Sequence, residues 1–106
     1  MPYLGAHISI SGGIYLAPQR ARALGCNTMQ IFSKNQRMWK SAPLNNKDIP
    51  LFKKNCETEK IKKVSVHTSY LINLGSPDKD KLKKSRDGFL IEIQRTKTLK
   101  IPFLIF

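Results

Sequence analysis

Short apolar segments alternate with longer amphipathic segments along this chain. Short runs of β-branched and aromatic residues between turn residues are typical of buried strands, whereas a 3.6-residue apolar repeat is typical of helices. The segments that predict β-strands are residues 3–8, 28–32, 63–67 and 101–106. The segments that predict helices are about residues 15–24, 48–59 and 78–99. The predicted order is βαβαβαβ, which requires parallel strands joined by right-handed crossovers.

Each predicted helix has apolar residues at helical spacing. Gly25 ends the first helix, because glycine readily adopts the left-handed conformation that follows a helix. Pro50 fits the first turn of the second helix, and Gly88 weakens the middle of the third by roughly 1 kcal/mol relative to alanine. The residues that we expect to face the core are Leu16, Ala17, Ala21 and Leu24 in the first helix, Ile49, Phe52 and Cys56 in the second, and Leu82, Phe89 and Ile93 in the third.

The fourth predicted strand, residues 101–106, is apolar throughout and has nothing after it to cover its free edge. Complete domains avoid such an edge, because it favours aggregation. A closed parallel barrel needs about twice as many strands and about 250 residues, whereas this chain has 106. We therefore expect residues 1–106 to be the amino-terminal portion of a single α/β domain, truncated after its fourth strand.

The charge of the chain points to a polyanionic partner such as nucleic acid. Nineteen Lys and Arg residues stand against seven Asp and Glu residues, which gives a net charge of +12. Many of these cations lie on the third predicted helix, where a lysine-rich face is usually just solvated. The loop cations Lys34, Arg37 and Lys40 are the more informative ones.

The remaining composition excludes several classes of protein. Cys26 and Cys56 lie far apart without Cys-x-x-Cys or Cys/His spacing, so we expect two small buried residues and neither a disulfide framework nor a zinc finger. No apolar run approaches the ~20 residues that span a bilayer. Residues 1–5 lack the pattern of a signal peptide, so we expect a cytoplasmic protein with no membrane contact.

Three loops with polar, basic and aromatic residues follow the first three predicted strands, at about residues 7–13, 33–39 and 67–75. Because the carboxyl ends of parallel strands meet at one edge of a sheet, we expect these loops to converge on a site there. His67 suits zinc, although a lone histidine at a strand end is more often structural. Zinc sites take several ligands, His7 is the only other imidazole, and no acidic residue is expected at this edge. We therefore predict that the chain lacks a complete metal site.

The second and third loops carry groups that suit DNA. Arg37 could bind phosphate or enter a groove, and amides such as Asn35 and Gln36 could donate to phosphate oxygens; the alternative is an ordinary polar loop. In the third loop Tyr70 and Leu71 could act as a wedge that fills the gap left by an expelled nucleotide. The alternative is that this loop simply packs against the third helix. We expect both, with Ile72 and Leu74 as anchors and the two preceding residues projecting.

These motifs together resemble the endonuclease IV family, the zinc-dependent apurinic/apyrimidinic (AP) endonucleases. The resemblance runs along the whole chain and is carried by residues 3–9 with Gly12 and Gly13, by residues 32–37 with Trp39, and by residues 42–44, 70–75 and 84–87. It implies a (β/α)8 TIM barrel, of which this chain covers about the first half. It also implies base-excision repair, in which a trinuclear zinc site hydrolyses the phosphodiester 5′ to an abasic site in duplex DNA.

The resemblance also implies roles for individual residues. His67 matches a zinc ligand, and His7 is expected close to the zinc cluster without binding the metal itself. The residues expected to contact DNA are Asn35, Gln36, Arg37, Tyr70 and Leu71.

The resemblance implies a further limit on this chain. In the family the next zinc ligand comes from a His-Pro-Gly after the fourth strand, and this sequence stops at Phe106. We therefore expect the isolated chain to bind zinc weakly and to cleave nothing.

The alternatives are a non-catalytic DNA-binding remnant and a sugar isomerase or epimerase barrel, which has less reason to carry the basic and wedge loops. Duplex DNA with abasic sites is the expected partner, and no protein partner is evident.

Overall fold

A computed structural model describes residues 2–106 of the chain and contains one parallel four-stranded sheet. The strands lie in chain order, β1 beside β2, β2 beside β3 and β3 beside β4. The elements are β1 (Gly5–His7), α1 (Ala17–Ala23), β2 (Thr28–Ile31), α2 (Asp48–Thr58), β3 (Ser65–His67), α3 (Lys79–Thr98) and β4 (Phe103–Ile105), with a 3-10 turn at Ile14–Leu16 before α1. The predicted βαβαβαβ order and the parallel pairing are confirmed.

The strands are shorter than predicted, and local chemistry explains where they begin. The Asn27 side chain accepts from the Leu4 N–H at 2.7 Å and donates to the Pro2 carbonyl at 3.0 Å. These bonds take the place of backbone hydrogen bonds between strands, so β1 begins only after them. Lys63 has a φ of 57°, in the left-handed region, which keeps it out of β3. Pro102 has no N–H to donate, and β4 begins at the residue after it.

The hydrophobic core lies on one face of the sheet, between the strands and the helices. Met29, Ile31 and Val66 point into it from the sheet and are buried there. Ala21 of α1 and Phe52 of α2 pack against them, as predicted. Alternate strand residues point to the other face, which is more open, because successive side chains of a strand lie on opposite sides.

Some predicted helix faces are wrong. Leu24 is 69% exposed, because it follows the last residue of α1 at the point where the chain turns away. Ile93 of α3 is also exposed. The buried face of α3 is instead a row of small and polar residues, namely Ser85, Gly88, Glu92 and Thr96. Trp39 and Ile72 lie against Gly88, so loop residues occupy the space where large helix side chains were expected.

Cys26 is buried and Cys56 is half-buried, and both are free thiols, as predicted. Within residues 2–106, no helix combines the length and the apolar character needed to cross a membrane.

Candidate functional site

The loops that follow β1, β2 and β3 meet at the carboxyl-terminal edge of the sheet, which we call the rim. We call them the β1 loop (residues 8–13), the β2 loop (residues 32–47) and the β3 loop (residues 68–78). Ile10 and Ser11 of the β1 loop line one shallow groove with residues 34–37 of the β2 loop. The Ser69 hydroxyl of the β3 loop donates to the Gln36 carbonyl at 2.6 Å. The predicted convergence of the three loops is confirmed.

The Arg37 side chain stands at the tip of the β2 loop. The Asn35 side-chain oxygen accepts from the Arg37 N–H at 2.9 Å, and the Asn35 carbonyl accepts from the Met38 N–H at 3.3 Å. These bonds form the tight turn typical of asparagine and direct Arg37 outward. Within residues 2–106 the exposed Arg37 guanidinium makes no side-chain hydrogen bond or ion pair. This cation is therefore available to an anionic partner.

The Tyr70 side chain projects from the β3 loop and is 64% exposed. Leu71 beside it is half-buried. Ile72 is half-buried near Gly88 of α3, as expected of an anchor, whereas Leu74 is exposed, so its prediction as a second anchor is wrong. The base of the loop is held elsewhere, because the Asn73 N–H donates to the Ser85 hydroxyl at 2.9 Å. The loop thus presents an aromatic ring to solvent from a fixed base.

His67 ends β3 and has one ring nitrogen committed to a hydrogen bond. Its Nδ1 lies 2.7 Å from the Thr68 carbonyl oxygen. A carbonyl can only accept, so we assign the proton to Nδ1, which leaves the lone pair of Nε2 free for a metal. This is the arrangement that metal-binding histidines usually adopt.

His7 ends β1, and β2 lies between it and His67 of β3. The His7 Nδ1 is 3.4 Å from the Gln30 side-chain oxygen. The Phe32 ring packs against both imidazoles, with centroid distances of 4.4 Å to His7 and 6.0 Å to His67. The Phe32 ring therefore lies in contact with both imidazoles.

His67 fits as one ligand of a zinc site, but residues 2–106 do not complete such a site. No group of three or more His, Cys, Asp and Glu side chains among them could hold a metal ion. Catalytic zinc sites use about three protein ligands.

A cluster of charged residues lies beneath the rim, made of the buried Lys34 and Glu92 and the half-buried Arg95. Glu92 is 0% exposed, and its Oε2 accepts from the Ser69 N–H at 2.9 Å. Lys34 is 5% exposed and donates to the Trp39 carbonyl at 2.7 Å. Lys34 is therefore not one of the solvent-facing loop cations, and that sequence interpretation is wrong. Its long side chain turns inward to satisfy a backbone carbonyl of its own loop.

Arg95 holds two points of the β2 loop. Its guanidinium donates to the Ser33 carbonyl through Nε at 3.0 Å and through Nη2, and to the Ala42 carbonyl through Nη1 at 2.9 Å. Carbonyls that have no partner in a strand or helix are thereby satisfied by a side chain from α3.

Burial dominates the ionisation of this cluster. Burial lowers the pKa of the Lys34 ammonium and of the Arg95 guanidinium, while the Glu92 charge acts in the opposite direction on both. Burial raises the pKa of the Glu92 carboxyl, against the Ser69 N–H and the charges of Lys34, Arg95 and His67. Burial favours the neutral form of each group, and the mutual attraction of opposite charges opposes it.

The sequence interpretation expected no acidic residue at the rim and so missed Glu92. A signal for it exists in the sequence. Positions 85, 88, 92 and 96 share one face of α3 and hold serine, glycine, glutamate and threonine. A glutamate within a row of small residues is unlike a solvated face, which would carry longer polar side chains. This row leaves room for the loops to reach the carboxylate.

Comparisons with known proteins place the chain in a TIM-barrel family. The family described as xylose isomerase-like TIM barrel matches residues 18–106. "Probable endonuclease 4" of Phocaeicola vulgatus is 46% identical over 100% of this chain and 39% of its own length. "Probable endonuclease 4" of Chlorobium phaeobacteroides is 50% identical over 93% of this chain and 36% of its own length.

A solved structure gives the same result. The crystal structure of endonuclease IV from Thermus thermophilus superposes with a TM-score of 0.90 at 30% sequence identity. The superposition covers 97% of this chain and 39% of that protein. The chain therefore spans less than half the length of the relatives it matches.

Proposed function

Because this chain belongs to the xylose isomerase-like TIM barrel family, we propose that its rim is the DNA-binding part of an AP endonuclease. The proposed reaction is hydrolysis of the phosphodiester 5′ to an abasic site in duplex DNA, as a step of base-excision repair. The four parallel strands are part of a barrel of this family, and the active site of such barrels lies at the carboxyl ends of the strands.

The observation that carries the proposal is the joint presentation of a free cation and an exposed aromatic ring on one rim. Arg37 and Tyr70 belong to different loops, and the hydrogen bond from Ser69 to Gln36 ties those loops together. A guanidinium can bind phosphate or enter a groove. An aromatic wedge can replace a nucleotide that leaves the stack. Together, the two groups at one place suit recognition of an abasic site.

The neighbouring residues support the same surface. The Asn35 oxygen is used in shaping the turn, so its amide nitrogen is the atom left to donate to a phosphate oxygen. Gln36 is half-buried and adjoins Arg37, and Leu71 adjoins Tyr70. We propose that Gln36 positions the loop backbone through its carbonyl, and that Leu71 backs the tyrosine ring in the duplex.

We propose His67 as one ligand of a zinc cluster, with His7 close by but not bound to metal. The chemistry that bound zinc supplies in such sites is activation of a water molecule and neutralisation of phosphate charge. Within this chain, His67 keeps the lone pair of Nε2 free by donating its Nδ1 proton to the Thr68 carbonyl. Since one histidine does not hold a catalytic zinc ion, we propose that these 106 residues alone bind DNA without cleaving it.

The test compares the wedge with a matched tyrosine at the opposite edge of the sheet. Tyr70→Ala removes the projecting ring, and Tyr3→Ala removes a ring that is similarly exposed ahead of β1. Binding of each variant to an abasic duplex and to the same intact duplex would be measured by fluorescence anisotropy. Tyr70→Ala should abolish the preference for the abasic duplex, and Tyr3→Ala should keep it. Equal behaviour of the two variants would refute the proposed wedge.

A further inference from the structure

The charged cluster of Lys34, Glu92 and Arg95 lies beneath the rim, with Lys34 and Glu92 buried and Arg95 half-buried. Its hydrogen bonds end on the backbone of the two loops that carry Arg37 and Tyr70. Glu92 and Arg95 are three residues apart on α3, so they lie on neighbouring turns of one helix face. One rigid stretch of helix therefore contacts both loops.

The contacts on the β2 loop define its shape. Arg95 donates to the carbonyls of Ser33 and Ala42, which are the two ends of a segment without helix or strand. Lys34 donates to the Trp39 carbonyl between them. Two cations therefore bind three backbone carbonyls of the segment 33–42. Arg37 lies at the tip of this segment.

The contacts on the β3 loop converge on Ser69. Its N–H donates to Glu92 at 2.9 Å, and its hydroxyl donates to the Gln36 carbonyl at 2.6 Å. The same hydroxyl accepts from the Leu71 N–H at 3.2 Å. Ser69 thus joins α3, the β2 loop and the first turn of the β3 loop. Tyr70 lies between the residues that make these bonds.

The charge of Glu92 helps to explain why Lys34 is buried and Arg95 half-buried near it. A buried cation is costly unless an opposite charge or hydrogen bonds compensate it. The carbonyls supply hydrogen bonds, and the Glu92 charge favours the charged forms of Lys34 and Arg95 without a direct ion pair, since the one side-chain ion pair within residues 2–106 joins Lys83 and Asp87. Removal of the Glu92 charge should therefore release the cations, and with them the β2 loop.

We propose that Glu92 is a positioning residue that fixes the β2 loop and the β3 loop relative to each other, so that Arg37 and Tyr70 meet one DNA duplex together. The consequence for DNA rests on the proposed function, whereas the fixing of the loops does not. Arg95 acts with Glu92 by holding the β2 loop to α3, and Lys34 braces that loop from within through the Trp39 carbonyl.

The first test reads the loops without DNA. Trp39 is the single tryptophan of the chain and lies in the β2 loop against Gly88, so its fluorescence reports on that loop. Glu92→Gln keeps the size of the side chain and an oxygen for the Ser69 N–H but removes the charge. It should red-shift Trp39 emission and increase acrylamide quenching while the far-ultraviolet circular dichroism is retained. Unchanged emission and quenching with an intact fold would overturn the proposal.

A pair of serine variants keeps the test decisive if Glu92→Gln fails to fold. Ser69→Ala removes the bond between the two loops, and Ser85→Ala makes the same change at an equally buried serine that contacts the β3 loop alone. Ser69→Ala should increase quenching of Trp39, and Ser85→Ala should not. Equal effects of the two variants would show that the loops are not fixed through Ser69 and Glu92.

The second test measures DNA binding of the same variants. Ser69→Ala should lower affinity for an abasic duplex about tenfold, the effect of losing a hydrogen bond worth up to about 1.5 kcal/mol. In the Ser69→Ala background, the effects of Arg37→Ala and Tyr70→Ala should become additive, because the loops move independently. Loop release without any DNA binding by the parent chain would contradict the proposed function and leave the positioning role supported. If the effects of Arg37→Ala and Tyr70→Ala on affinity stay non-additive in the Ser69→Ala background, the positioning role is contradicted.

Discussion

The hydroxyl of Ser69 donates a 2.6 Å hydrogen bond to the backbone carbonyl of Gln36, across 33 positions of sequence. This bond joins two loops that leave different strands of the sheet. Tyr70 follows the donor directly, and Arg37 follows the acceptor directly. Tyr70 and Arg37, the wedge and the cation of the proposed DNA-binding surface, therefore each adjoin one of the two residues that form this hydrogen bond. Their relative placement depends on that contact and on the charged cluster beneath it.

Arg37→Ala should weaken binding to any duplex and reduce its dependence on salt. A cation that binds one phosphate contributes about one unit to the slope of log affinity against log salt concentration. Affinity would be measured by anisotropy between low and physiological salt. The matched control is Arg22→Ala, because Arg22 lines a groove with Asn27 and Lys62 at the amino-terminal edge of the sheet. If Arg22→Ala lowers the slope as much as Arg37→Ala does, the surface at the rim is not the binding site.

The order of the elements could be predicted from sequence because it depends on local periodicity. Apolar runs and helical repeats indicated all four strands and all three long helices, and the family matches confirm the resemblance to endonuclease IV. Strand ends could not be predicted. At the start of β1, for example, the Asn27 side chain takes the place of hydrogen bonds between strands by bonding to Leu4 and Pro2, which lie 23 and 25 positions away in the sequence. Such contacts leave no local pattern.

The candidate site could be predicted in part. The convergence of the loops follows from parallel topology alone. The inward turn of Lys34 could not be predicted, since a basic loop residue is normally solvated and its burial depends on residues of α3. The bond from Arg95 to Ser33 spans 62 positions. Glu92 was missed for the same reason, because its partner is a backbone N–H of a distant loop.

His67→Ala should abolish the weak zinc binding that we expect of this chain. The Nε2 atom of His67 has the free lone pair, whereas His7 is expected near the metal without binding it. Zinc binding would be followed by isothermal titration calorimetry, with His7→Ala as the matched control. His7→Ala should keep most of the binding. Equal loss in the two variants would show that both imidazoles bind the ion. Metal-dependent incision of abasic DNA by the chain alone would contradict the expectation that it lacks a complete metal site.

Gly88→Ala should stabilise the chain by up to roughly 1 kcal/mol, because alanine is the better helix former in the interior of a helix. The added methyl would lie 3.5 Å from Trp39 Cζ3 and 3.6 Å from Ile72 Cδ1, which is ordinary contact. The measurement is the midpoint of urea unfolding. Gly25→Ala is the control, since it also has space but requires a φ of +80°. It should destabilise by about 1 kcal/mol. A loss of stability in Gly88→Ala would show that Trp39 cannot accommodate the methyl.

Asp78 should make stability depend on pH through the start of α3. Its side chain accepts from the Lys81 N–H at 3.0 Å as the N-cap of the helix. This hydrogen bond is the main cause that lowers the pKa of the Asp78 carboxyl from its ordinary value of 3.8. A carboxyl whose folded pKa is lowered contributes stability that is fully present above the unfolded pKa and is lost as pH falls through the folded pKa. Thermal unfolding of the wild type and of Asp78→Asn would be compared from pH 7 down to about pH 2.

Asparagine is the matched replacement, because it caps a helix by the same kind of hydrogen bond but does not titrate. The wild type should have the higher melting temperature near neutral pH, where the charged carboxylate also favours the helix N-terminus. This advantage should shrink below pH 3.8 as the carboxyl takes up a proton. A difference between the two proteins that stays constant over the whole range would mean that the Asp78 charge does not stabilise α3. The base of the β3 loop is held by Ser85 in the same helix, so fraying at Asp78 would reach the candidate site through that serine.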